Sequence, residues 1–276
     1  MNPKSPDPGE KGINWKSREV AERWSRNQAR RDKHIAAASE MMLDLACIES
    51  GHRVLDVGAG TGGQTVLAAR RVGPGGYVLA TDVSASMLDI CAEAAHTAGL
   101  MNVGTRVTQA ENLDLDEDSF DAVICRTALM LFSDPARALN RMRRAMKRGA
   151  KLSALVFSTA ERNLYQGIPL TIARSFGGVA PPIFALGERL LLEDAFRSGG
   201  FSDITVHAVS SRRHFSSTVD ALQILRDAMF LREALANLSH AEREQAWTEI
   251  QQRFGALEGS DGLELPGEML IAVGTK

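Results

Sequence analysis

Between Val54 and Gly62 the chain reads Val-Leu-Asp-Val-Gly-Ala-Gly-Thr-Gly. This is a β-branched apolar strand running into a glycine turn, with the Asp56 carboxylate just before the first glycine. The run from Gln64 to Val72 that follows has helical character. Such a strand–turn–helix unit lets backbone approach a ligand closely and sets helix N–H groups beside it. Gly58, Gly60 and Gly63 also satisfy G-x-G-x-x-G, so the glycines alone leave a dinucleotide open. Asp56 favours another ligand. A carboxylate in the turn repels a pyrophosphate and suits a nucleoside bearing an ammonium and a sulfonium group, which is S-adenosylmethionine (SAM).

Three further clusters fall where such a ligand needs them. Asp82 closes Leu79-Ala80-Thr81-Asp82-Val83-Ser84. Either it caps the helix that follows or it accepts both ribose hydroxyls, with Val83 and Met87 flanking the adenine; the glycine turn upstream favours the second. Gln109-Ala110-Glu111-Asn112-Leu113 offers a backbone N–H and the Gln109 carboxamide to an adenine edge, or is a solvated turn. Cys125-Arg126-Thr127 faces the transferable methyl group. With no partner base in view, Cys125 reads as a packed thiol. Tyr165, His207, His214 and Glu111 are the groups able to take a proton from an acceptor, Tyr165 foremost. No metal-ligand spacing is present.

The elements that must position these residues alternate. Strands are predicted at 53–57, 77–82, 103–109, 120–125 and 151–157, and helices at 63–72, 86–98 and 135–147. Short apolar strands alternating with longer helices imply a doubly wound parallel sheet, whose ligand sits outside the carboxyl ends of the strands. Residues 15–50 have a helical pattern, basic first and apolar later. Residues 158–187 carry Gly167, Pro169, Gly177-Gly178 and Pro181-Pro182 and are expected to form a loop-rich lid. A helix over 188–198, a strand over 204–209, two helices within 219–254 broken near Leu238-Ser239, and a last strand over 268–275 complete the pattern.

The domain plan is a disordered leader at 1–14 and one domain over 15–276. Within it lie a helical cap (15–50), a ligand-binding core (51–158), a lid with the sixth strand and helical substrate region (159–256), and the last strand (265–276). Of 276 residues, 44% are hydrophobic and the net charge is −2, so no global field points to nucleic acid or membrane. The basic residues of 16–33 and 141–151 are expected to be a solvated face and a helix C-terminus. Widely spaced Cys47, Cys91 and Cys125 read as reduced thiols, and no apolar run is long enough to span a bilayer. A cytoplasmic monomer or homodimer without nucleic-acid partners is expected.

Val54–Gly62, Thr81-Asp82-Val83-Ser84 with Met87-Leu88, Ala110-Glu111-Asn112-Leu113, Ser119–Val123 and Leu155–Ser158 resemble the class I SAM-dependent methyltransferases. The resemblance is strongest to the branch holding the ubiquinone and menaquinone biosynthesis enzymes. It covers 51–158 strongly, the last strands weakly and the lid hardly at all. It implies an α/β, Rossmann-like seven-stranded sheet, mostly parallel with an antiparallel last strand, plus N-terminal helices and a helical lid. It further implies that Asp56, Gly58 and Gly60 line the methionine end, that Asp82 binds ribose and that Gln109-Ala110 faces adenine; Thr61, Val83, Met87, Glu111 and Arg126 are expected to complete the cofactor site. The family usually carries Asp where this chain has Gln109, and many relatives place histidines where it has Met130-Leu131. That departure implies a greasier substrate pocket and no histidine base. The implied reaction is methylation of a small aromatic or lipophilic acceptor at carbon, oxygen or nitrogen. A SAM-binding sensor and a nicotinamide oxidoreductase are the rival readings.

Overall fold

The computed structural model describes residues 13–276; of the expected leader, all but Ile13 and Asn14 lies outside the described residues. Three helices come first, α1 (Arg18–Arg26), α2 (Gln28–His34) and α3 (Ala36–Leu45). The alternating core follows: β1 (Arg53–Val57), α4 (Gly63–Val72), β2 (Tyr77–Asp82), α5 (Ala85–Thr97), β3 (Val103–Val107), β4 (Phe120–Arg126), α6 (Pro135–Ala145) and β5 (Met146–Phe157). The remainder is α7 (Leu164–Ser175), α8 (Arg189–Ser198), β6 (Ser202–Phe215), α9 (Thr218–Arg226), α10 (Met229–Leu235), α11 (His240–Gly255), β7 (Glu258–Gly259) and β8 (Gly262–Thr275).

The sheet runs β3-β2-β1-β4-β5-β8-β6. Strands β1 to β5 pair in parallel, and β8 inserts antiparallel between β5 and β6. The expected doubly wound architecture is therefore present. The strand count is eight rather than seven, because the two-residue β7 pairs with the start of β8 outside the main path. From β1 the chain works outward to β3 and then returns to β4 on the other side of β1, so strand order reverses between β1 and β4. That reversal opens a crevice at the carboxyl ends.

Successive residues of a strand face opposite sides, and the core divides accordingly. Leu55, Val123 and Cys125 pack with Leu139 and Met142 of α6 and Phe196 of α8. Val54, Ile124 and Leu155 pack with Met42 and Leu43 of α3 and Ala68 and Val72 of α4. The lid has its own core, with Leu170, Phe215, Leu225, Ile250, Phe254 and Leu265 buried together. Helix starts follow the capping chemistry. Ser84 accepts from the Met87 N–H at 3.3 Å, Asp134 accepts from the Arg137 N–H at 2.9 Å, and Ser239 with Glu242 forms a capping box.

Four sequence expectations are corrected. The stretch at 158–187 contains the helix α7, which buries Tyr165, Leu170, Ile172 and Ala173 in the lid core, and Gly167 lets the Ala160 carbonyl approach where a Cβ would sit 2.0 Å from its oxygen. Residues 219–254 form three helices, with a break at Asp227-Ala228 besides the one at Ser239. Strand β6 continues to Phe215 and β8 begins at Gly262, since backbone pairing sustains the antiparallel ladder where Ser210-Ser211-Arg212-Arg213 shows no apolar alternation. Lys147, Arg148 and Lys151 lie on β5 and not at a helix end; Lys147 pairs with Asp121 there.

Candidate active site

A cavity of about 730 Å³ opens at the carboxyl ends of β1, β2 and β4, within the range of small-molecule clefts. Its first wall is the glycine turn. Gly58 has φ +71°, and a Cβ there would lie 2.4 Å from Ala128 Cβ, so only glycine lets the turn pass beneath the loop after β4. The turn is pinned to β2, with Gly58 and Ala59 N–H groups both donating to the Thr81 carbonyl at 2.8 and 3.0 Å.

Gly58, Gly60, Thr61, Asp82, Val83, Met87, Gln109, Ala110, Glu111, Arg126 and Tyr165 all line this one cavity. Asp56 does not. Its carboxylate is wholly buried behind the turn and takes hydrogen bonds from Gln64 Nε2 and, at 2.6 Å, from Thr65 Oγ1. Burial raises it to about 6, against those two hydrogen bonds. The acid expected to face the ligand instead fixes the first turn of α4, and it is Gln64 that reaches the cavity.

Asp82 does face the ligand space. Its Oδ2 accepts the Gly60 N–H and its Oδ1 the Ser84 N–H, both at 2.9 Å. Each oxygen keeps a lone pair for a further donor. Burial raises its pKa, opposed by hydrogen bonds from the Ser84, Gly60 and Val83 N–H groups. In the turn after β3, Gln109 Oε1 accepts from Asn112 Nδ2 at 2.8 Å, and Glu111 Oε1 accepts from both Ser133 N and Ser133 Oγ at 2.9 Å. Glu111 thus ties the turn to the loop before α6.

The N-terminal helices close the crevice from above. Trp24 lies over Gly60, its Nε1 3.5 Å from where a Cβ would be, and it meets Trp15 and Phe230 edge-on at 5.6 and 6.1 Å. Arg31 stacks on the Trp24 ring at 3.8 Å. Arg126 pairs with Asp32 at 2.7 Å, directly over Gly63, where a Cβ would collide with both. The basic run was expected to be solvated throughout, but Arg23, Arg30 and Arg31 line the cavity. The helix break at Asn27 turns them inward.

Beyond Leu131, Phe132 and Phe157 the cavity continues into a chamber walled by Tyr165, Arg213, Ile224, Asp227, Met229 and Phe230. Of these the sequence reasoning singled out Tyr165, as a group able to take a proton, and missed Arg213 and Asp227. Leu164, Ile168, Leu170, Ile172, Phe176 and Phe184 pack in or against the lid core. Burial pushes the Tyr165 phenol up to about 12, so near neutrality it is a donor and not a base. Burial likewise raises the Cys125 thiol, leaving it inert. His207 and His214 are not among the lining residues. Among the described residues no cluster of ligating side chains suits a metal ion, and no helix is long and apolar enough to cross a membrane.

A glycine turn after β1, an acid closing β2 and a polar turn after β3 are thus set around one crevice of a doubly wound α/β domain. Residues 54–149 match the family model described as a methyltransferase domain. The ubiquinone/menaquinone biosynthesis C-methyltransferase UbiE of Pasteurella multocida is 37% identical over 117 residues, which are 42% of this chain and 44% of that protein. The chain spans about half the length of the curated relatives it matches. Among solved structures, the YcgJ protein of Bacillus subtilis superposes with a TM-score of 0.63 at 18% identity, over 87% of this chain and 98% of that one. A phosphoethanolamine N-methyltransferase of Haemonchus contortus superposes with a TM-score of 0.58 at 17% identity, over 95% and 59%. At that identity these two speak to the fold alone. The resemblance read from the sequence is borne out over residues 54–149, the stretch that matches the methyltransferase domain model.

Proposed function

We propose that the whole chain is a methyltransferase that moves the methyl group of SAM to a small, flat, largely apolar acceptor. The observation that carries this reading is Asp82. It is a half-buried acid locked to the glycine turn through the Gly60 N–H, with acceptor capacity left toward a cavity that runs on into an apolar chamber. The residues present fit SAM: an acid for vicinal hydroxyls, Val83 and Met87 for a purine face, the Gln109–Ala110 turn for its edge, and Arg31, Asp32 and Arg126 for the amino-acid end.

When bound, SAM supplies an activated methyl group for in-line displacement. The protein then has to align the acceptor and keep water out. Trp15, Trp24 and Phe230 do the second, forming an aromatic roof over the glycine turn. Leu131, Phe132, Phe157 and Met229 do the first by giving a flat ring an apolar slot. Glu111 holds the turn after β3 through Ser133 and does not move a proton, and Tyr165 acts as a neutral phenol. The reaction therefore suits an acceptor that is already nucleophilic, such as an electron-rich ring. The C-methylation named for the UbiE relative is in keeping with that.

The test has two parts. SAM and S-adenosylhomocysteine should raise the melting temperature while NAD does not, and labelled methyl should pass from SAM to at least one member of a panel of quinones, phenols and amines. Stabilisation by NAD alone would replace the reading with an oxidoreductase. Tight SAM binding with no product from any acceptor would replace it with a sensor.

A further inference from the structure

Arg213 is a charged residue that the SAM-facing half of the cavity does not use. It lies on β6 opposite Leu265 of β8, where the antiparallel pair runs out under the lid, and it lines the chamber. Its neighbour Arg212 pairs with Glu264 at the exposed surface, as alternation along a strand requires. The Arg213 guanidinium lies 4.5 Å from the centre of the Tyr165 ring. Tyr165 in turn stacks on Phe215 at 5.3 Å, so the head group is held in place.

Its electrostatic surroundings are unbalanced. Arg126 is matched by Asp32, but among the described residues no carboxylate comes within ion-pair distance of Arg213, and Asp227 shares the chamber wall without reaching it. The groups that bear on the guanidinium are Arg30 and the Tyr165 phenol. Nearby His34 has its pKa pushed down to about 4 by burial and then by Arg213, so it carries no charge near neutrality. A half-buried guanidinium with no carboxylate in ion-pair reach is costly unless a ligand brings one.

Building on the methyltransferase reading, we infer that Arg213 recognises an anionic substituent on the methyl acceptor, and that the acceptor is an aromatic ring carrying a carboxylate. One guanidinium presents a planar fork that matches a carboxylate in two parallel hydrogen bonds. The Tyr165 ring, Phe157, Met229 and Phe230 surround the space beside it with apolar surface. The acceptor is then oriented at both ends, with its acid on Arg213 and its reacting edge toward the mouth between Phe132 and the glycine turn.

Calorimetry on the full chain saturated with S-adenosylhomocysteine tests this, using aromatic acids paired with their neutral methyl esters: 4-hydroxybenzoate, salicylate, 1-hydroxy-2-naphthoate and indole-3-carboxylate. At least one acid should bind about tenfold or more tightly than its ester. Arg213→Met keeps the stem over Tyr165 and should bring that acid down to its ester. Arg213→Lys should recover part of the preference, and S-adenosylhomocysteine affinity should stay unchanged in both. The inference is overturned if no acid binds, if acids and esters bind alike, if Arg213→Met retains the preference, or if that variant loses S-adenosylhomocysteine. A wild-type chain that fails to bind S-adenosylhomocysteine at all would sink the methyltransferase reading instead.

Discussion

Asp56 is wholly buried and Asp82 half-buried, and their lone pairs are spent differently. Asp82 gives one acceptor position per oxygen to backbone N–H groups and keeps the rest for the cavity. Asp82→Ala should therefore weaken S-adenosylhomocysteine binding by about 10- to 100-fold, the worth of hydrogen bonds to a charged acceptor, as measured by calorimetry. Asp56 spends its acceptors on Gln64 and Thr65. Asp56→Ala should cost about 1–3 kcal/mol in urea unfolding, because both partners are left buried and unpaired. With its folded pKa raised to about 6 from 3.8, the folded state holds a proton in that window that the unfolded state releases. Stability then falls as pH rises from 3.8 to 6, and Asp56→Asn should flatten this slope. His34 works the other way: lowered to about 4 from 6.5, it makes stability fall as pH drops through that range. His34→Gln should remove that slope, so melting curves of the two variants between pH 4 and 6.5 separate the opposing contributions. The glycine turn and both acids were legible because residue type and local spacing carry them. The direction in which Asp56 points was not, since it depends on Gln64 and Thr65 at the start of α4, although both stood in plain view in the sequence.

At the scale of elements, the least legible parts are those whose burial comes from another element. The basic stretch of α1 and α2 alternates charge in the way of a solvated helix pair. What turns Trp24 and Arg31 inward is the break at Asn27, together with Phe230, which comes from α10. Trp24→Ala should weaken S-adenosylhomocysteine about tenfold through faster release, the scale of a lost aromatic contact, as read by stopped-flow fluorescence. The central strands were legible because parallel strands buried on both faces carry continuous apolar runs, as Val54–Val57 and Ala122–Cys125 show. The outer half of β6 was hidden for the opposite reason. One of its faces meets solvent and the other a cavity, so Ser210 to His214 needs no apolar residue.

Across the whole molecule, the cavity draws on two bodies of structure. Strands β1, β2 and β4 with the turns after them supply the SAM-facing half, whereas α7, α9, α10 and Arg213 of β6 supply the chamber beyond. S-adenosylhomocysteine at one hundred times its dissociation constant should stabilise the fold by about 2.7 kcal/mol. In hydrogen exchange, the added protection should concentrate at residues 57–64, 81–87, 109–112 and in α1 and α2, leaving the outer end of β6 unchanged. The β6–β8 ladder joins these two bodies, with His207 opposite Ile271 beside the sheet core and Arg213 opposite Leu265 beneath the lid. Every side chain along it alternates between outside and inside. Loss or gain of a single residue midway along β6 would therefore exchange inward for outward positions over its far end alone, while the nucleoside pocket stays as it is. Descendants of such a chain could acquire a new appetite for acceptors in one genetic event, by a slipped register and with no change in the letters that face the ligand.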